Sequence, residues 1–435
     1  MADRQNERTS FGQLISDGAL EIGDGYRARH EELGGDGLIF LRAGHVTDTH
    51  IDFEGVERFH NELESRVRSK ISQVGDAVVT TKGNSTGRTT FVTALMPPFV
   101  YSPHLSYWRS KDPNRVEGGF LRYWSKSREF LEQLAGMKAS TDMAPYLSLI
   151  DQKRLRISLP PIHEQRRIAH ILGTLDDRIE LNRRMSETLE AMARALFKSW
   201  FVDFDPVRAK MAGRDPGLPK DIANLFPDRL VESELGEIPE GWECDSVLKQ
   251  AELLSGGTPK TDVDDYWGGD IPWASAKDVS QCADAFLVRT ERLITKRGLD
   301  ESSTQLIPAF STVVVARGAT TGRLTMFGDE MAMNQTCYGL RSRCGSPFAL
   351  YCAARAFIDR LVHAAHGSVF DTITTKTFQS TKVVLPPECI QLAFDRRVKP
   401  FFARILTGLR ESESLVALRD GLLPKLVSGE IRTTP

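Results

Sequence analysis

The sequence predicts an α+β protein in which two α/β globules are separated by two long antiparallel coiled-coil helices with pseudo-two-fold symmetry. Three observations lead to this prediction. A glycine loop occurs twice, as GNSTGR from Gly83 to Arg88 and as GATTGR from Gly318 to Arg323. A long stretch with helical periodicity also occurs twice, and a segment of strand-like composition precedes each copy. Because such self-similarity marks an internal repeat, the chain is interpreted as an imperfect duplicate.

Each predicted globule contains short runs of β-branched residues, punctuated by Gly and Asp, which is typical of strands joined by turns. AVVTT (77–81) precedes the first glycine loop, and TVVVA (312–316) precedes the second. The sequence therefore predicts two related globules, which we assign to residues 1–158 and 244–384.

The two helical stretches begin with Leu-Pro-Pro at Leu159 and Leu385 and align without a gap at a shift of 226 residues. In both, apolar residues recur alternately four and three positions apart, which is the pattern of a coiled-coil seam. A helix of roughly 40 residues is about 60 Å long, far longer than most helices of a compact domain. The seam is interrupted at the same places in both copies by four non-apolar residues: Asn182, Ser186, Gly408 and Ser412.

The matching lengths and interruptions favour helices that pack on each other, in residues 159–201 and 385–435. The alternative is that each helix is amphipathic and packs only on its own globule. Pro400 predicts a kink or a late start in the second helix, because proline removes a helical hydrogen bond. Residues 202–243 are rich in Pro, Asp and Gly and are predicted to form a surface connector with little regular structure.

Composition limits the classes of protein to which the chain can belong. Its 435 residues are 41% hydrophobic and 26% charged, which is ordinary for a soluble protein. No apolar run approaches the ~20 residues that cross a bilayer, and the first ten residues lack the apolar core of a signal peptide. The six cysteines include no CxxC pair, which favours reduced thiols and a cytoplasmic location.

The net charge of −2 matters for any interaction with nucleic acid. Proteins that bind nucleic acid alone are usually strongly basic, because neutralising phosphates supplies much of their affinity. If this chain contacts DNA, its basic residues must therefore be concentrated locally, or partner subunits must supply further contacts.

The motifs of common enzymes are missing or incomplete. GNSTGRT is one residue short of a phosphate-binding P-loop and has Arg88 where lysine is required. MPPFVY has Met96 where an amino-methyltransferase needs Asn or Asp to accept a hydrogen bond. HEQRRIAH lacks the spacing of a zinc-binding HExxH, and no GxSxG nucleophile elbow occurs. The sequence predicts a chain without a catalytic or metal site.

Four stretches together resemble the specificity subunits of type I restriction–modification systems. They are GGTPKTDVDDYWGGDIPWASAKDV from Gly256, GATTGR from Gly318, LPPIHEQRRIAHILGTLDDRIELNRRM from Leu159, and the terminal LRDGLLPKLVSGEI. The resemblance runs from about Leu38 to Ile431. The first globule lacks the GGTP and YW motifs, and the second long helix lacks the Glu-Gln pair of the first long helix.

This resemblance implies a protein without catalysis of its own. Two target-recognition domains would each read one half of a bipartite double-stranded DNA target. The helices would set the spacer between the halves and dock two modification subunits, which use S-adenosylmethionine to methylate adenine. Restriction subunits, which use ATP and Mg²⁺, would complete the assembly.

Candidate DNA contacts are polar and basic residues in loops that follow strands. Backbone N–H and hydroxyl groups contact phosphates, Arg can span guanine O6 and N7, and Asn or Gln can pair with adenine. For the glycine loops the alternative is a tight turn with an exposed arginine, for the other loops solvated side chains, and for the amides a capping role. The candidates are Arg42, His45, Lys82, Asn84, Ser85, Thr86, Arg88, Thr258, Lys260, Thr261, Ser275, Lys277, Arg317, Thr320, Thr321, Arg323, Asn334 and Gln335.

A rival hypothesis comes from another class of protein. The chain could be a coiled-coil scaffold whose globules bind protein and recognise no DNA. This hypothesis predicts little salt-sensitive affinity for DNA, even when partner subunits are present.

Overall fold

The computed structural model describes residues 6–47, 50–139, 145–364 and 372–432. The chain divides into two compact units, which we describe separately. Unit 1 comprises residues 1–178 with 414–435, and unit 2 comprises residues 179–413. Each unit therefore contains one of the predicted globules together with part of both long helices.

Unit 1 contains two sheets and a separate strand pair. A four-stranded antiparallel sheet has the order β2-β8-β5-β6, and a three-stranded sheet has the order β4-β3-β7 with β3 and β7 parallel. Strand β1 pairs with β9. The strands are β1 (Glu7–Ser10), β2 (Leu20–Asp24), β3 (Ile39–Leu41), β4 (Glu57–Arg58), β5 (Ala77–Thr80), β6 (Thr89–Phe91), β7 (Phe99–Tyr101), β8 (Leu105–Ser110) and β9 (Arg156–Leu159).

Helices cover the four-stranded sheet of unit 1 and bury a core that is rich in aromatic residues. Phe11, Trp108, Trp124 and Phe130 form its centre, and the start of the first long helix adds Ile168. The helices are α1 (Phe11–Ser16), α2 (Glu64–Val67), α3 (Gly118–Trp124), α4 (Arg128–Ala139), α5 (Leu149–Arg154) and α6 (Ile162–Phe201).

A charged network also lies inside unit 1. Arg109 donates from Nε to Asp76 Oδ1 at 2.6 Å and from Nη2 to Asp76 Oδ2 at 2.7 Å. The hydroxyl of Tyr101 donates to the same carboxylate at 2.7 Å. Asp76 is fully buried, so its charge depends on these donors for stabilisation.

Unit 2 repeats the strand order of unit 1, with one additional strand in each of its two sheets and one additional strand pair. One sheet has the order β13-β21-β18-β19-β15, another β16-β14-β20-β17, and the strand pairs are β12-β22 and β10-β11. The strands are β10 (Leu230–Ser233), β11 (Gly236–Pro239), β12 (Glu243–Ser246), β13 (Ala251–Ser255), β14 (Trp267–Ala274), β15 (Phe286–Leu287), β16 (Arg292–Ile294), β17 (Leu306–Ile307), β18 (Thr312–Val315), β19 (Leu324–Phe327), β20 (Met331–Met333), β21 (Cys337–Ser342) and β22 (Lys382–Leu385).

The helices of unit 2 follow the same plan. Thr374 caps α12 by accepting from the N–H of Thr377, as Ser148 caps α5 by accepting from the N–H of Asp151. The predicted duplication of an α/β globule is thus confirmed in the strand order. The helices are α7 (Asp205–Met211), α8 (Lys220–Ala223), α9 (Ala276–Gln281), α10 (Lys296–Asp300), α11 (Pro347–Ala364), α12 (Thr375–Ser380) and α13 (Glu388–Ser428).

The prediction that the connector at residues 202–243 has little regular structure is wrong. This segment forms α7, α8 and the β10–β11 hairpin. It buries Phe204, Phe226 and Trp242 against the C-terminal part of α6, where Trp200 contacts Phe226 with ring centroids 5.2 Å apart. Its Pro and Gly residues therefore mark turns between short elements and not a solvated linker.

The two long helices run antiparallel where each unit contains both. In unit 1, Asp176 of α6 accepts from Arg419 Nη1 of α13 at 2.8 Å, and Ile168 shares a core with Leu426. In unit 2, Trp200 near the end of α6 packs on Phe394 near the start of α13, with centroids 5.9 Å apart. Each helix also packs on its own globule, so the alternative in which it packs only on that globule does not hold.

The predicted interruption of the seam is a polar contact between the helices in unit 2. Asn182 and Ser186 are buried, with 2% and 5% of their surface exposed. Asn182 donates from Nδ2 to the carbonyl of Gly408 at 3.3 Å and accepts from Arg404 Nη2 at 3.3 Å. A Cβ on Gly408 would lie 3.6 Å from Asn182 Cγ, an ordinary van der Waals distance, so the contact does not require a glycine at this position.

The late start proposed for the second helix is wrong, and the two helices are more alike at their starts than the missing Glu-Gln pair suggests. Helix α13 begins at Glu388 and continues through Pro400, which lies on its exposed face, where water can bond the carbonyl that lacks a donor. Gln391 also takes the role of Gln165. Each amide donates to the carbonyl of the second Leu-Pro-Pro residue, Pro386 at 2.9 Å and Pro160 at 2.8 Å. No described helix is both long and apolar enough to cross a membrane.

A buried carboxylate in unit 2 predicts a pH dependence. Asp395 of α13 accepts from the backbone N–H of Ala349, in the first turn of α11, at 2.8 Å. Burial raises its pKa from 3.8 to about 6. The folded state therefore keeps a proton that the unfolded chain loses, so this contribution is present below about pH 4 and is lost as the pH rises through 6.

We expect Asp395→Asn, which keeps an acceptor without a charge, to remove this dependence. The difference in free energy of unfolding between variant and wild type should shift by about 2–3 kcal/mol in favour of the variant between pH 4 and pH 7.5. Denaturant unfolding of both proteins at the two pH values measures this difference. A difference that is the same at both values would contradict the assignment.

Candidate nucleic-acid interface

The two glycine loops occupy equivalent hairpins. GNSTGR connects β5 to β6 in unit 1, and GATTGR connects β18 to β19 in unit 2. In each loop the two glycines have left-handed backbone angles, with φ of 85° at Gly83 and Gly87, 99° at Gly318 and 91° at Gly322. Other residues rarely adopt these angles, so the repeated glycines are explained by the turn itself.

The threonine of each loop stabilises the same turn. The hydroxyls of Thr86 and Thr321 donate to the carbonyls of Gly83 and Gly318, both at 2.7 Å. Thr86 also donates to the carbonyl of Pro145 at 2.9 Å and is only 3% exposed. The prediction that Thr86 contacts DNA does not fit this burial, because its hydroxyl is directed into the loop.

The basic residues of the loops differ between the units. Arg88 donates from Nη1 to the carbonyl of Val46 at 2.9 Å and so ties its loop to the turn after β3. Lys82, Arg317 and Arg323 are exposed, and their side chains have no hydrogen-bond or ion-pair partner among the described residues. These three cations are available to an anionic partner.

The remaining loop candidates line the same turns. Asn84 and Thr320 are exposed, and Ser85 is half-buried. They lie between the two glycines of each loop, where the two sequences differ. The arrangement therefore combines a shared turn with variable polar side chains.

A turn follows the equivalent strands β3 and β14, and its candidates are mostly engaged within the protein. Arg42 donates from Nε to Glu57 at 2.8 Å, and the backbone N–H of Arg42 donates to His45 Nδ1 at 3.4 Å. Lys277 pairs with Glu291 at 2.7 Å. An external anion would have to compete with these carboxylates.

Ser275 is a helix cap. Its hydroxyl accepts from the N–H of Asp278 at 3.2 Å and donates to the carboxylate of Asp278 at 2.6 Å, which closes a capping box at the start of α9. The prediction that Ser275 reads a base is not supported by this geometry, because both hydrogen-bonding functions are occupied.

The GGTP motif (256–259) packs close to other backbone segments in unit 2. A side chain on Gly256 would meet the carbonyl oxygen of Asn334 at 2.3 Å, and one on Gly257 would meet the backbone of Ser303 at 2.5 Å. The glycines are therefore required by packing. Lys260 and Thr261, which follow them, are exposed.

Asn334 and Gln335 form a hydrogen-bonded cluster with Thr258. Asn334 donates from Nδ2 to Thr258 Oγ1 at 2.9 Å and accepts at Oδ1 from the N–H of Thr336 at 2.8 Å. Thr258 donates to the side-chain oxygen of Gln335. The capping alternative for Asn334 fits these contacts, and Gln335 stays exposed.

Backbone hydrogen bonds bring the candidate loops of unit 2 to one edge of its sheets. The N–H of Asn334 donates to the carbonyl of Ala274, next to Ser275, at 2.8 Å. The N–H of Ala316, next to Arg317, donates to the carbonyl of Thr336 at 2.8 Å. The ends of β14, β18 and β20 therefore form one site.

Unit 1 has the same arrangement at the ends of β3, β5 and β7. The N–H of Ser102 donates to the carbonyl of Leu41 at 3.0 Å, and the N–H of Thr81 donates to the carbonyl of His104 at 2.9 Å. His104 thus takes the place of Thr336, and it is exposed. Sequence reasoning missed His104, because the two units share no sequence motif in this loop.

Sequence reasoning also missed Glu57 and Glu291, which hold the basic residue of the turn in each unit. A signal was present in the sequence, since each precedes an arginine and then a large apolar residue, in VERF (56–59) and TERL (290–293). No cluster of potential metal ligands was found within the described ranges.

Comparison with known proteins gives a consistent result. A family model described as the type I restriction modification DNA specificity domain matches residues 41–191 and 239–412. The chain is 25% identical to the specificity subunit of the type I restriction enzyme HindI of Haemophilus influenzae, over 91% of this chain and 94% of that protein. It is 25% identical to the MjaIX specificity subunit of Methanocaldococcus jannaschii, over 73% of this chain and 70% of that protein.

A solved structure shares the fold. The type I restriction–modification S subunit from M. genitalium superimposes with a TM-score of 0.58 at 14% sequence identity, and the match covers 98% of this chain and 97% of that one. At this level of identity, the likeness concerns the fold alone.

Proposed function

Because the chain belongs to the family of type I restriction–modification DNA specificity domains, we propose that each of its two units reads one half of a bipartite DNA target. The family is one of non-catalytic specificity subunits. The chain would accordingly supply sequence recognition and leave the chemistry to its partners.

The duplicated site is the observation that carries this proposal. In both units a glycine turn, a second turn after a parallel strand, and a third short segment meet at one edge of the sheets. Lys82 lies at this edge in unit 1, and Arg317 and Arg323 lie at it in unit 2. Two such sites in one chain fit a target with two separate halves.

The chemistry of these side chains suits DNA. Lysine and arginine neutralise phosphates, and an arginine that reaches the major groove can bond guanine O6 and N7 together. Lys260 and Thr261 extend the basic and polar surface of unit 2. Asn84, Ser85 and Thr320 differ between the loops, so they are the candidates for distinguishing one half-site from the other.

The long helices would set the spacer and dock the partners. Helix α6 is continuous over 40 residues, and a rise of about 1.5 Å per residue makes such a helix a stiff spacer. Modification subunits that bind S-adenosylmethionine would methylate adenine, and restriction subunits would use ATP and Mg²⁺. Partners that share the phosphate contacts would also explain how a chain with a net charge of −2 can act on DNA.

Methylation mapping tests the proposal. In cells that carry the chain with its modification subunits, methylated adenines should fall in a two-part motif with a non-specific spacer. Cells with the same modification subunits but without this chain should lack that motif. Methylation that is independent of the chain would contradict the proposal, as would adenine methylation by the purified chain alone.

A further inference from the structure

An exposed tyrosine lies beside the glycine loop of unit 1. Tyr146 is 54% exposed, and its hydroxyl has no hydrogen-bond partner among the residues that the structure describes. A buried tyrosine usually bonds its hydroxyl within the protein, whereas the exposed hydroxyl of Tyr146 is open to an external acceptor.

The backbone holds this side chain in place from both sides. The carbonyl of Pro145 accepts from the N–H of Gly83 at 3.2 Å and from the hydroxyl of Thr86 at 2.9 Å. The N–H of Leu147 donates to the carbonyl of Thr81 at 2.9 Å, and Leu147 is buried. Because neighbouring side chains of an extended segment alternate in direction, burial of Leu147 directs Tyr146 outward.

The surroundings of Tyr146 match a surface that contacts nucleic acid. Tyr146 pairs with Lys82 in an antiparallel bridge, and both side chains are exposed. Asn84 is exposed on the same loop. A cation, an amide and an aromatic ring with a hydroxyl donor thus lie close together, and these are groups that bond phosphate oxygens and pack on sugars.

Unit 2 has no tyrosine at the equivalent position. There Arg317 forms the antiparallel bridge with Thr372, and the N–H of Ile373 donates to the carbonyl of Ala316 at 2.8 Å. Thr372 therefore stands where Tyr146 stands in unit 1. Among the described residues, the two units therefore differ at this position, with an exposed tyrosine in unit 1 and a threonine in unit 2.

We propose that Tyr146 is a DNA-backbone contact of unit 1, with its hydroxyl donating to a phosphate oxygen and its ring lying along the adjacent sugar. The inference rests on the proposed function, because it assumes that the GNSTGR loop faces DNA. It adds to the half-site of unit 1 a residue whose described counterpart in unit 2 is Thr372.

The test uses the full chain assembled with its modification subunits and a duplex that carries the mapped target. Loss of the hydroxyl in Tyr146→Phe should weaken binding about 3- to 10-fold, and Tyr146→Ala about 10- to 30-fold. Leu95→Ala is the matched control, since Leu95 is 65% exposed and follows β6 at the end of the hairpin opposite the loop. It should leave the affinity unchanged, and all three variants should keep the circular dichroism spectrum of the wild type.

Base substitutions in the duplex separate the possible roles. A backbone contact predicts the same fold-loss for Tyr146→Ala on every half-site sequence. Altered preference at one base pair would overturn the backbone assignment, and unchanged affinity of both variants would overturn the contact itself. If the wild-type assembly does not bind the mapped duplex, the proposed function fails and this inference fails with it.

Discussion

Replacing Arg317 and Arg323 together by alanine should lower the affinity of the assembled complex for its target about 100-fold, which corresponds to about 3 kcal/mol. Neither side chain has a partner within the described part of the chain, so neither contributes an internal contact that its removal would break. The loss should therefore appear in binding and not in folding. Fluorescence anisotropy with the mapped duplex measures it.

The salt dependence of DNA binding is a second test of the same variant. Each cation that neutralises a phosphate adds about 0.9 to the slope of log K against log salt concentration, so removal of two should reduce this slope by up to about 2. Arg297→Ala is the matched control, because Arg297 is exposed but already pairs with Asp265 and Glu301, each at 2.9 Å. Equal affinities and slopes for both variants and the wild type would refute the role of these arginines.

The largest expected effect on stability concerns the buried network of unit 1. Arg109→Met leaves the carboxylate of Asp76 buried without its cation, and we expect a loss of about 3–5 kcal/mol. Faster hydrogen exchange in the β5 and β8 peptides, relative to peptides of unit 2, measures this loss locally.

Unit 2 suggests a compensating change. There Ser311 precedes β18 where Asp76 precedes β5, and Met333 ends β20 where Tyr101 ends β7. Arg341 in β21 occupies the position that Arg109 has in β8. Its side chain is exposed, and its Nη1 lies 3.9 Å from Glu252 Oε2. The same fold therefore exists without the buried pair. The double variant Asp76→Ser with Arg109→Met should regain most of the stability that Arg109→Met loses. If it is as unstable as the single variant, the loss does not come from an unpaired buried charge.

The repeated features were predictable from the sequence because duplication leaves the same residues at the same spacing. The glycine loops, the two long helices and the non-apolar interruption of the seam at Asn182 were all identified in this way. The ordered structure of residues 202–243 was not predictable in this way. Phe204, Phe226 and Trp242 are too far apart among Pro and Gly residues to give a periodic signal, and only their packing on α6 orders them.

The candidate site was predictable at the level of loops but not of individual contacts. Thr86 and Ser275 are residue types that often contact DNA. In this protein, however, their hydroxyls bond groups that the fold brings close to them. The role of Gln391 could have been predicted, because the gap-free shift of 226 residues pairs it with Gln165. Conversely, Tyr146 carries no motif, and only its exposure beside the loop distinguishes it.

The central claim is that the two units read two half-sites independently. The most direct test maps methylated adenines in cells that carry a chimaera, in which the first globule of another member of the family replaces residues 1–158. We expect one half of the motif to change, while the other half and the length of the spacer stay as in the wild type. A change in both halves, or an unchanged motif, would contradict the claim.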